Sequence, residues 1–107
     1  MLGPGLLESA YEACLAHELM LRGLTFERQK AIPVTYKGTL VDCGYRMDFV
    51  VSDELVLELK AVEQLLPIHQ AQLISYLRLS HFPVGLLVNF HATTIRDGLR
   101  RLTLRSP

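Results

Sequence analysis

The segment Leu55–Ala61 constrains this chain more than any other. It is a strand-like apolar run that nonetheless carries Glu58-Leu59-Lys60 at its end. Successive strand side chains point to opposite faces, so Glu58 and Lys60 share one face while Leu57 and Leu59 take the other. Asp48 sits in the same way inside the strand before it. Charges on strands this hydrophobic are costly unless they pair with one another or bind a metal. The fold must therefore bring partners to Asp48, Glu58 and Lys60, and the register between the two strands decides how. The loop Ser52-Asp53-Glu54 has three residues. An odd loop sets Asp48 opposite Glu58 and Arg46 opposite Lys60, whereas a two-residue loop would throw Glu58 to the far face. The odd loop is the expected one.

The remaining elements follow from periodicity and punctuation. Leu6 to about Arg22 reads as a helix stopped at Gly23, with Leu7, Tyr11, Cys14 and Leu15 at helical spacing. At about 100° per residue, Glu8 falls in line with Leu15 and Leu19 and so belongs to the inward stripe. Leu24–Lys30 and Ile32–Tyr36 read as strands, with Pro33 favouring an edge. Lys37-Gly38 is a turn, and a strand runs from about Leu40 or Gly44 to Val51. Pro67 opens a helix that reaches about Ser80. Val84–Phe90 reads as a buried strand. The segment Thr93–Arg101 reads as a short helix or an irregular arm, followed by an edge strand at Leu102–Leu104. The sum is one α/β domain over residues 1–107, a mixed sheet flanked by helices.

Composition narrows the class. The chain has 107 residues, 50% of them hydrophobic and 21% charged, which suits a folded domain with one modest core. No apolar run approaches the roughly 20 residues needed to cross a bilayer, and Met1–Ala13 carries Glu8 and Glu12 with no basic start. Cys14 and Cys43 match no metal spacing and read as reduced, mostly buried thiols. A cytoplasmic protein with no membrane partner is expected. Eleven basic residues balance eleven acidic ones, so nonspecific electrostatic grip on nucleic acid is not built into the composition. Arg96, Arg100, Arg101 and Arg105 cluster near the C-terminus, as a positive stripe or as a solvated tail.

The chemistry offered by these residues has two readings. Asp48 and Glu58 on one sheet face make a hard-oxygen site suited to Mg²⁺ or Mn²⁺. Lys60 beside them can hold an attacking water and offset charge on phosphate oxygens. Glu8 can add a third carboxylate to that metal set, or merely cap its helix. The alternative is a structural ion pair of Glu58 with Lys60 or Arg46. Gln72 and Tyr76 lie four residues apart on one helical face, nearly opposite the stripe Leu66, Leu73 and Leu77. They can orient a nucleophile or contact phosphate, or simply face solvent. His69, a turn earlier, reads as a surface residue.

With these segments in view, the chain resembles the GxxExxY protein family, a branch of the PD-(D/E)xK nuclease superfamily. The name-giving motif is matched by Gly5-Leu6-Leu7-Glu8-Ser9-Ala10-Tyr11. The likeness continues through Gly44-Tyr45-Arg46-Met47-Asp48, Glu58-Leu59-Lys60-Ala61-Val62-Glu63, His69-Gln70-Ala71-Gln72-Leu73 and Gly85-Leu86-Leu87-Val88-Asn89-Phe90. The resemblance implies a restriction-endonuclease-like core with Asp48, Glu58 and Lys60 as its catalytic trio and Glu8 as an added acid. Gln72 and Tyr76 are similar to the Gln-xxx-Tyr helix signature of RecB-like exonucleases. Two departures stand out. Relatives usually carry a further helical segment before the Leu-Gly-Pro-Gly turn, and Gln70 stands where they commonly have glutamate.

The expectation is a metal-dependent nuclease acting on DNA, or RNA, through catalytic Glu8, Asp48, Glu58, Lys60, Gln72 and Tyr76. Glu8, Asp48 and Glu58 would hold Mg²⁺ or Mn²⁺. The competing expectation is a non-catalytic module on the same fold that binds nucleic acid or protein. A homodimer, or a place within a larger assembly, is also expected, from the Leu-rich first helix and the absent upstream segment.

Overall fold

A helix with apolar residues at i, i+3 and i+4 must bury that stripe, and the first element of this chain does so against a sheet. The computed structural model describes residues 4–91 and 97–104. Helix α1 spans Pro4–Leu21 and is closed by Gly23, whose left-handed φ of 70° suits glycine. The amides of Leu24 and Gly23 cap the carbonyls of Leu19 and Met20 at 3.0 Å each, a Schellman ending. Strands β1 (Phe26–Ala31), β2 (Val34–Tyr36), β3 (Thr39–Val41), β4 (Arg46–Val51) and β5 (Leu55–Lys60) follow. Helix α2 spans Pro67–Ser80, and β6 (Val84–Asn89) and β7 (Leu99–Thr103) complete the order.

Five strands form one sheet in the order β1-β4-β5-β6-β7, with β5 and β6 parallel and the other pairs antiparallel. Strand alternation sorts its side chains into two cores. Phe49, Val51, Leu57 and Leu59 pack with Ala16 and Leu19 of α1. Val50, Val56 and Leu87 pack with Leu73, Tyr76 and Leu77 of α2. The two helices thus cover opposite faces, and the expected mixed sheet flanked by helices is what forms. Gly85 lets α2 come close: a Cβ there would sit 2.9–3.0 Å from the branched end of Leu73.

Several boundaries differ from the sequence reading. Of the two starts expected for the strand that ends at Val51, Gly44 is close to the observed one, since β4 begins at Arg46, whereas a start at Leu40 would merge it with β3, which belongs to another sheet. Asp42 accepts the Gly44 amide at 2.8 Å, and Gly44 adopts φ 79°, so the chain turns between β3 and β4. Strands β2 and β3 pair only with each other, as a hairpin whose strand residues are exposed or half-buried. The last strand starts at Leu99 rather than Leu102, so Leu99–Arg101 is neither helix nor arm. Residues 92–96 and Arg105 lie outside the described residues, and with them half of the arginine cluster; Arg100 and Arg101 are exposed on β7. Cys14 and Cys43 are free, as expected, but both are exposed rather than buried. Cys14 lies on the outer side of α1 and Cys43 in the turn before β4.

Candidate active site

The three-residue loop produces the expected register. Val51 pairs with Leu55, Val50 with Val56 and Phe49 with Leu57, which puts Asp48 level with Glu58 and Arg46 level with Lys60. The paired ladder between these strands stops at Phe49 and Leu57. Beyond it the carboxylates replace the missing backbone partners. Asp48 Oδ2 accepts the Leu59 N–H at 2.8 Å, and Glu58 Oε1 accepts the Asp48 N–H at 3.0 Å. Each acid therefore clasps the backbone of the other's strand and spends one oxygen on it. On its other edge β5 stays paired with β6 as far as Lys60 and Asn89, so β5 parts from β4 and not from β6.

The seam is where both helix layers meet. From α2, Gln72 Oε1 lies 3.5 Å from Lys60 Nζ, and Gln72 Nε2 donates to the Tyr76 hydroxyl at 3.0 Å. From α1, Glu8 is half-buried and within electrostatic reach of both Lys60 and Asp48. Tyr11, one turn after Glu8, stacks on Phe90 with ring centroids 4.0 Å apart and planes 2° from parallel. The Phe90 N–H donates to the Lys60 carbonyl at 2.8 Å, so the stack docks the Glu8 turn beside Lys60. Asn89 secures the chain that leaves β5. Its Oδ1 accepts the Val62 N–H at 3.0 Å and its Nδ2 donates to the Val62 carbonyl at 2.8 Å.

Burial gives the site its electrostatics. Glu58 is 5% exposed, and desolvation, then the nearby Asp48 charge, push its carboxyl up to about 8. Glu8 is raised too, chiefly by burial, with Lys60 opposing. Burial and the Glu58 charge raise the Tyr76 phenol. The structural ion pair offered as the alternative for Glu58 is not formed. Arg46 turns to Asp42 at 3.2 Å, and Lys60 reaches Gln72 instead.

These carboxylates fit a hard cation by their chemistry. A buried Glu58 whose proton is hard to remove is a carboxylate short of positive charge, and the donors around it are oxygens. The Leu59 carbonyl leaves β5 on the same side as the Leu59 N–H, toward the seam. Among the described residues, however, no three His, Cys, Asp or Glu side chains form a metal-holding group. Asp48 and Glu58 are the pair presented together, with Glu8 as a neighbour.

The six residues singled out from the sequence lie around this seam. Tyr76 is only 8% exposed and packs in the α2 core, so it is neither solvent-facing nor opposite the apolar stripe; Gln72 is the exposed member of the pair. His69 is used structurally, its Nδ1 accepting the Leu66 N–H at 2.9 Å at the start of α2. The sequence reading missed Gln29 and Glu12. Gln29 Nε2 lies 3.1 Å from Glu12 Oε1 and 3.3 Å from Asp48 Oδ1. The position of Glu12 four residues after Glu8 was the available signal; an exposed strand glutamine gives none.

A family model described as the PD-(D/E)XK nuclease superfamily matches residues 1–102. Neither a curated protein nor a solved structure matches the chain.

Proposed function

The chain belongs to the PD-(D/E)XK nuclease superfamily, and from that premise we propose that it is a metal-dependent hydrolase of phosphodiester bonds in DNA, with RNA as the alternative substrate. Within the superfamily we assign it to the GxxExxY branch, on the Gly5, Glu8 and Tyr11 spacing. One observation carries the reading: Asp48 and Glu58 clasp each other's strands across a splayed seam, with Lys60 beside them.

Asp48 and Glu58 would hold Mg²⁺ or Mn²⁺, with the Leu59 carbonyl and Glu8 completing the oxygen set. When bound, such a cation supplies Lewis acidity at the scissile phosphate and offsets its charge. Lys60 orients the attacking water and steadies negative charge on the phosphoryl oxygens. Gln72 holds the ammonium on the substrate side, and the Tyr76 hydroxyl fixes the Gln72 amide so that its oxygen faces Lys60. Removing the Glu58 proton readies that carboxylate for a cation.

Incubating the protein with labelled single- and double-stranded DNA and RNA, with Mg²⁺, Mn²⁺ or chelator, tests the proposal. Cleavage should need the metal and fall about 100-fold or more in Lys60→Ala. It should vanish in Asp48→Asn. Cleavage that survives both substitutions would belong to a contaminant. Substrate binding with no cleavage under any condition would favour a non-catalytic binding module.

A further inference from the structure

On the far side of β4 a second interruption faces the first. Strand β1 pairs with β4 at Arg28 and Phe49 and again at Lys30 and Met47, but Gln29 and Asp48 between them do not pair. Gln29 holds φ 50°, a left-handed conformation that a residue with a long side chain rarely adopts. Apolar burial does not account for it, because Gln29 is exposed. Its side chain does have partners. The carboxamide nitrogen reaches Glu12 Oε1 at 3.1 Å and Asp48 Oδ1 at 3.3 Å. Both neighbours are carboxylates, so the nitrogen and not the oxygen of the amide must face them. Glu12 is itself steadied by Arg28, whose Nε lies 3.6 Å away.

Asp48 is therefore gripped at both oxygens, by Leu59 N–H on Oδ2 and by Gln29 on Oδ1. Two hydrogen bonds to different oxygens fix the rotation of a carboxylate, where one leaves it free to swing. We propose that Gln29 is a positioning residue: its strained backbone aims the amide at Asp48, with Glu12 as a brace, and sets the carboxylate for the cation. The inference rests on the nuclease reading above. It adds a residue from β1 and one from α1 that act through Asp48 without touching substrate. Partners that orient a metal-binding group usually matter about 10-fold or more for metal affinity.

The test pairs stability with metal affinity. Gln29→Gly relieves the left-handed strain, so its unfolding midpoint in chelator should rise above that of the parent protein. Its affinity for Mn²⁺ by calorimetry should nevertheless fall about 10-fold, and so should that of Gln29→Ala. In the metal-free Gln29→Gly protein the Leu59 amide should exchange with solvent faster, because the Asp48 carboxylate that accepts it is looser. With substrate, kcat should fall while KM holds. A purely structural glutamine predicts the reverse pattern, with lower stability and unchanged Mn²⁺ binding. Parent-like Mn²⁺ affinity in both variants overturns the Gln29 assignment and leaves the nuclease reading standing. A parent protein that binds no Mn²⁺ at millimolar concentration overturns both.

Discussion

Glu58 concentrates the chemistry of the site in one side chain. It is the only charged residue among the buried positions described, and burial with the adjacent Asp48 charge holds its carboxyl at about 8 instead of 4.5. The metal-free folded protein keeps a proton that the unfolded chain releases near its ordinary value, so this contribution to stability is full below about 4.5 and lost as pH rises through about 8. Urea unfolding in chelator should therefore show stability falling across that range, by a few kcal/mol at most. Glu58→Gln should flatten the profile, since the amide does not titrate. Tyr76→Phe is milder. It removes the hydroxyl that accepts from Gln72 and keeps the ring, so kcat should fall about 5-fold, the worth of one hydrogen bond of about 1 kcal/mol, with KM little changed.

Elements place these residues, and much of that placement is legible in the sequence. A three-residue loop between alternating strands is enough to set Asp48 level with Glu58. Pro67 marks the start of α2, and a glycine closes α1. Around the axis of α2, Tyr76 lies about 60° from Leu73 and about 100° from Leu77, so helical geometry sets it beside the apolar stripe and not opposite it; Leu66 precedes the helix and is 48% exposed. Gln29 could not be read at all, because its role depends on a backbone angle and a ladder gap that no local residue pattern encodes. The contact of α2 with β6 tests the packing. Gly85→Ala forces a Cβ to within 3.0 Å of three atoms of Leu73, which is 1% exposed and has little space to retreat. It should cost about 1–3 kcal/mol in urea unfolding. A cost near zero would mean that α2 sits farther from the sheet.

At the scale of the whole molecule, helices on opposite faces of a sheet contribute to one site only because the sheet opens there. Where β4 and β5 part, Glu8 from one layer and Tyr76 from the other come within electrostatic reach of Asp48, Glu12 joins it through Gln29, and Gln72 reaches Lys60. With zero net charge, a nucleic-acid substrate would be held at the seam rather than by a long basic surface. The salt dependence of DNA binding should accordingly be shallow, matching about one to three neutralised phosphates rather than the six to ten of a strongly electrostatic binder. No helix among the described residues is long and apolar enough to cross a membrane. The central claim is that the parted strands form a cation site. Crystals grown with Mn²⁺ and measured for anomalous scattering should show one strong peak touching both Asp48 and Glu58. A well-ordered seam with no peak at saturating Mn²⁺, or a peak that persists in Asp48→Asn and Glu58→Gln together, would contradict it.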